Sequence, residues 1–112
     1  MSLIKNFFKQ TRILDGGMGQ ELLNRGVIPH GTIWGATALL HKKYHKLLVK
    51  THLDFIKAGA EVIVTNSFGS RKRRLIENKL GHKFNELNKL AGKLARDAVK
   101  KSNKKIGRKT TN

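Results

Sequence analysis

The sequence predicts an α/β chain, and three observations predict it. A short apolar segment, Ile13-Leu14, runs into an acid and two glycines, Asp15-Gly16-Gly17, and then into a helical pattern. Residues 44–58 place Tyr44, Leu47, Leu48, Phe55 and Ile56 at the three-to-four-residue spacing of one buried helix stripe, with Thr51 and His52 filling the same stripe. Gly59 ends that helix, and the β-branched run Val62-Ile63-Val64 follows within 61–65. A continuous apolar run fits a strand covered on both faces, as in a parallel sheet. Strand, helix and strand in that order make a βαβ unit with a right-handed crossover.

Taken in order, residues 1–11 read as an N-terminal extension, with Ile4, Phe7 and Phe8 on one side of a short helix. Residues 12–14 are short for a strand, but the glycines after them mark a strand end. Residues 18–25 fit a helix with Met18, Leu22 and Leu23 on one face, stopped by Gly26. A loop over 27–35 carries Pro29, Gly31 and the single tryptophan, Trp34, and residues 36–40 read as a helical turn. Beyond the second strand, residues 71–76 are helical and Gly81 breaks them. A second strong helix over 85–101 has Leu87, Leu90, Ala91, Leu94, Ala95 and Ala98 as its stripe. The lysines near its end suit the negative pole of a helix C-terminus. A strand is due next. The chain instead reads Ile106-Gly107-Arg108-Lys109-Thr110-Thr111-Asn112.

At 112 residues this is one domain or a piece of one, and 38% hydrophobic content allows a modest core. No apolar run approaches the roughly 18 residues a membrane-spanning helix needs. The N-terminus lacks the apolar stretch and small-residue cleavage site of a secretory signal. Without cysteine, the chain has no disulfide framework and no thiolate metal site of its own. A cytoplasmic location is the expectation. The net charge of +17 is uneven: residues 1–65 carry +5 and residues 66–112 carry +12. Such a half can meet nucleic acid or another polyanion. The Arg71-Lys72-Arg73-Arg74 cluster is the best candidate, but aromatic interleaving is poor and no recognised RNA- or DNA-binding pattern appears, so a solvated helix start is the favoured reading.

Three segments carry more chemistry: Leu14-Asp15-Gly16-Gly17-Met18-Gly19-Gln20-Glu21-Leu22-Leu23, His52-Leu53-Asp54-Phe55-Ile56-Lys57-Ala58-Gly59-Ala60 and Val62-Ile63-Val64-Thr65-Asn66-Ser67-Phe68. A carboxylate at a strand end can accept hydrogen bonds from an ammonium group. Glycine lets a ligand approach the backbone, where a free N–H can hold a carboxylate. The structural alternative for Asp15 is a helix cap, and for Thr65 and Asn66 ordinary turn chemistry. Together the three segments resemble the opening of the homocysteine S-methyltransferase family, which includes betaine-dependent enzymes and the homocysteine module of cobalamin-dependent methionine synthase. The resemblance covers about residues 13–99.

The resemblance implies a (β/α)8 TIM barrel with its chemistry at the C-terminal ends of the strands. A barrel of this type needs about 250 residues, so this chain would hold about two of eight βα units, an incomplete N-terminal portion. The expected organisation is an extension over 1–11, a partial homocysteine-binding barrel domain over 12–106, and an aberrant basic tail over 107–112. A truncated or frameshifted reading frame would explain that tail. Asp15, Gly16 and Gly17 would bind the amino-acid end of homocysteine, with Thr65 and Asn66 beside them, and Gly19 would allow close packing at the helix start. Trp34 would line the methyl-donor side, where an aromatic face could hold a cationic donor such as betaine or a sulfonium. Gly69 departs from the aromatic residue that some betaine-using relatives carry there.

The implied reaction is methyl transfer from a small-molecule donor to the homocysteine thiol, giving methionine. In the family, zinc held by three cysteines makes the thiolate, and those cysteines lie beyond the stretch that this chain matches. Histidines do not replace them: His41 and His45 share metal-pair spacing but lack a third ligand, His52 sits on a buried stripe, and His30 and His82 are loop residues. This chain alone is therefore expected to be inactive, with no catalytic or metal-binding residue of its own, and a separately encoded chain could supply the remaining barrel. The alternative is a small basic nucleic-acid- or polyanion-binding protein using the surface from Arg71 to Lys109, with steeply salt-dependent affinity.

Overall fold

The computed structural model describes residues 6, 7 and 9–106, with side chains as far as residue 103. Its helices are α1 (Met18–Asn24), α2 (Thr37–Leu40), α3 (His45–Lys57), α4 (Lys72–Glu77) and α5 (Phe84–Ile106). Single 3₁₀ turns lie at Trp34–Ala36, Lys42–Tyr44, Phe68–Ser70 and Gly81–Lys83. The basic tail over 107–112 and most of the helix expected over 1–11 lie outside the described residues.

Three of the helices end by the same device. In α1, Gly26 at φ +107° lets the Val27 N–H donate to the Leu22 carbonyl and the Gly26 N–H to Leu23. These are the two reversed bonds of a Schellman motif, and buried Val27 and Leu22 supply its apolar contact. Gly59 at φ +120° closes α3 in the same way, with Ala60 N–H on the Phe55 carbonyl. In α4 the left-handed position is held by Lys79, at φ +62°.

The core forms where α3 lies along α5. Leu48 and Val49 of α3 and Leu87, Ala91, Leu94 and Ala98 of α5 are buried together with Leu22, Ile33, Leu39 and Leu75. The stripe that the spacing predicts on α5 is the face that packs. On α3 the predicted stripe is buried or half-buried throughout, and Val49 joins it.

The α/β expectation is corrected. Among the described residues no strand forms, the architecture is helical, and the two βα units of a barrel are not built. The segments read as strands meet in one parallel bridge, Leu14 with Val62. Ile13 accepts from Val62 N–H at 3.1 Å, and Asp15 N–H donates to the Val62 carbonyl at 3.0 Å. The next rung of a parallel ladder would run from Val64 N–H to the Asp15 carbonyl. Val64 N–H instead donates to Asp15 Oδ2 at 3.0 Å, so the side chain takes the rung and pairing stops. Packing gives no reason to continue it. A parallel pair is stable when both faces are covered, yet Ile13, Leu14 and Val64 are each more than half exposed. Beta propensity at Val62-Ile63-Val64 therefore yields an extended segment, clamped at its start by the Arg12–Glu61 ion pair at 2.9 Å.

Candidate functional site

The bridge, the start of α1, the Trp34 turn and the segment from Val64 to Arg74 enclose a cleft of about 490 Å³. Asp15, Gly16, Trp34, Thr65 and Asn66 all line it. Five of the six residues that the sequence singles out thus meet at one place, although they come from three separate segments. Gly17 is not among the lining residues. It is the extended residue preceding α1, at φ −70° and ψ 91°.

Asp15 is anchored through its backbone to Val62 and through Oδ2 to Val64. Oδ1 remains without a hydrogen-bond partner among the described residues and can receive a ligand's donor. Gly16 beside it is exposed and packed over the Phe55 ring, where an added Cβ would come within 3.0 Å of Cε1. Beneath, His52 is fully buried on α3, and neither ring nitrogen finds a hydrogen-bond partner among the described residues. Burial pushes its pKa down, opposed in part by the Asp15 charge.

Trp34 sits at φ +54°, a left-handed conformation that a bulky residue adopts only when its surroundings impose it. Three contacts do so. Gly35 approaches Gly19 so closely that a Cβ on it would lie 2.6 Å from the Gly19 Cα. Buried Asn66 donates from Nδ2 to the Gly35 carbonyl at 3.0 Å. Gly69 abuts the Ile33 carbonyl, leaving no room for a side chain there. That contact explains in packing terms why no aromatic residue can stand at Gly69. The Trp34 indole, 47% exposed, lies against the bare backbone of Gly19. Asn66 therefore spends its amide nitrogen on positioning the tryptophan turn, while Thr65 Oγ1 pairs with Ser67 Oγ at 2.9 Å on the exposed side.

The structure adds residues that sequence reading assigned to a solvated helix start. Arg71 and Arg74 line the cleft, as does Phe68. Arg71 is the extended residue just before the short α4 and Arg74 lies within that helix, whereas Arg73 reaches Glu77 at 3.8 Å. A run of four basic residues gave no signal that separates these two from their neighbours. The histidines assemble nothing comparable. His45 Nε2 bonds the Leu39 carbonyl at 2.9 Å, and His41 lies edge-on between the rings of His30 and Tyr44. Among the described residues no three His, Cys, Asp or Glu side chains could hold a metal ion together, and no helix is long and apolar enough to cross a membrane.

An acid at the end of a parallel bridge, a glycine turn and an aromatic wall define a small-ligand cleft in a helical chain. This chain belongs to the homocysteine S-methyltransferase family, whose sequence model matches residues 12–110. It is 27% identical over 94 residues to homocysteine S-methyltransferase 2 of Saccharomyces cerevisiae, covering 77% of this chain and 29% of that protein. It is 39% identical over 56 residues to homocysteine S-methyltransferase 4 of Zea mays, covering 50% of this chain and 16% of that protein. With homocysteine S-methyltransferase 3 of Arabidopsis thaliana it shares 31% identity over 70 residues, 60% of this chain and 20% of the relative. The chain thus spans less than a third of the length of the curated relatives it matches. No solved structure matches it.

Proposed function

We propose that this chain holds the amino-acid end of homocysteine, as the substrate-binding part of a homocysteine S-methyltransferase, and that alone it does not transfer a methyl group. The observation that carries the reading is the convergence of Asp15, Gly16 and Thr65 on one cleft in a member of this family. Asp15 Oδ1 accepts from the substrate ammonium, a charge-assisted bond made stronger by the fixed position of the carboxylate. The exposed backbone at Gly16 receives the substrate carboxylate, and Thr65 supplies a hydroxyl. Asn66 acts through Gly35 and Trp34 as a positioning residue.

The residues present do not fit a zinc ion. The sequence contains no cysteine, and no triad of other ligands gathers among the described residues. No step that activates the thiol is therefore assigned to this chain. Methyl transfer would require thiolate ligands supplied by a further polypeptide segment.

Isothermal titration with L-homocysteine tests the reading, using Asp15→Asn and Asp15→Ala. Asn keeps an oxygen for Val64 N–H and removes the charge, so Asp15→Asn should fold and lose about tenfold or more in affinity. A well-folded wild-type chain that does not bind homocysteine, or an Asp15→Asn chain that binds it unchanged, would refute the assignment.

A further inference from the structure

One wall of the cleft has no task in homocysteine binding. The Arg71 guanidinium lies over the Phe68 ring at 4.5 Å from its centroid, and Phe68 is 72% exposed. Arg74 is half-buried and reaches the Thr32 carbonyl at 3.4 Å through Nη1. No carboxylate pairs with either arginine among the described residues. Arg12, Arg25 and Arg73, by contrast, are each paired with an acid. Asp15, the acid that lines the same cleft, gives one oxygen to Val64 and forms no ion pair with Arg71 or Arg74. Two guanidiniums outside any ion pair line one concavity with a single acid, Asp15, and the Glu77 beside them is paired with Arg73, so the wall carries an excess of positive charge in a chain of net charge +17.

Chemistry and size indicate what fits. Guanidinium forks match phosphate oxygens in geometry and charge. Two of them, neither in an ion pair, suit a dianion better than a single charge. Exposed aromatic faces accept a planar ring by stacking. A cleft of about 490 Å³ falls within the size range of small-molecule sites. We propose that Trp34, Phe68, Arg71 and Arg74 form a binding site for a small phosphorylated ligand that carries a planar ring. The ring stacks on the aromatic wall and the phosphate is taken by the two guanidiniums. This site shares the cleft with the homocysteine position but rests on different residues.

Titration of the whole chain with adenosine 5′-monophosphate, adenosine and inorganic phosphate, at one fixed salt concentration, tests it. The nucleotide should bind about tenfold tighter than either fragment, because stacking and charge pairing act together. Arg71→Ala and Arg74→Ala, both near the surface, should each weaken it by about tenfold. Phe68→Leu should reduce the nucleotide to the affinity of phosphate. Lys100→Ala with Lys101→Ala, exposed on α5, should leave it unchanged. Asp15→Asn should keep nucleotide affinity while losing homocysteine, so the two readings fail separately. Equal affinities for the nucleotide and phosphate would overturn the proposal, as would an equal loss in the lysine variant. An oligoadenylate that binds far more tightly with a steep salt slope would overturn it in favour of a nucleic-acid surface.

Discussion

Arg25, the residue that caps the C-terminus of α1, reaches Asp54 on α3 at 2.8 Å through Nη1, while its Nε holds Glu21 of α1 at the same distance. Thr51 Oγ1 accepts from the same guanidinium at 3.2 Å. One planar group thus fixes the distance between the helix that begins at the cleft and the helix that forms the core.

The Arg25 bond, aided by Lys50, holds the Asp54 carboxyl below its ordinary range. A depressed folded-state value contributes stability that is present above the unfolded value and lost as pH falls through the folded one. Asp54→Asn should cost about 0.5–1 kcal/mol at neutral pH, as a half-exposed pair would. The difference from wild type should shrink below about pH 4, where the wild-type carboxyl takes up its proton. Denaturant melts across that range check both points.

His52 should act in a higher window. Its folded-state pKa is lowered by burial, so the unfolded chain binds a proton first. Stability is complete above the unfolded value near about pH 6.5 and is lost as pH falls below it. His52→Leu removes two buried ring nitrogens that lack partners. It should be neutral or stabilising at pH 8, and should flatten the decline in melting temperature between about pH 7 and 5.

Lys79 occupies the left-handed position that Gly26 and Gly59 occupy elsewhere. Lys79→Gly should therefore gain about 0.5 kcal/mol, the relief of left-handed strain less the added chain entropy. Gly26→Ala should lose about 1 kcal/mol although nothing lies within 4 Å of the new methyl group, because the cost is in the backbone. Equilibrium unfolding resolves opposite signs.

Two further glycines separate packing from conformation. A Cβ on Gly35 meets the Gly19 backbone, so Gly35→Ala should cost about 2 kcal/mol and weaken the proposed homocysteine binding through the displaced turn. Gly92, inside α5 with open space around it, should gain about 0.5–1 kcal/mol on substitution by alanine.

Helices were legible because apolar spacing and glycine stops act locally: the stripe from Leu87 to Ala98 and the stop at Gly26 need no distant partner. The strands were not. Val62-Ile63-Val64 has the right composition, but strand formation depends on neighbours that cover both faces, and Asp15 diverts the rung that would continue the pairing. The positions of Asp15, Gly16, Thr65 and Asn66 in one cleft could be read from the two segments that carry them. The cleft-facing half of the Arg71–Arg74 cluster could not, since a run of four basic residues does not reveal which of them face inward. Nor did composition disclose that Asn66 is buried, because its partner is a backbone carbonyl 31 residues away.

The single indole of the chain has a further consequence. Trp34 stands half in solvent on the cleft wall, pressed against a glycine and within the same enclosure as Asp15 and Arg71. Its fluorescence comes from one position and no other. The protein therefore carries an intrinsic optical reporter on the cleft wall, and binding of either proposed ligand can be tested there by emission without any label.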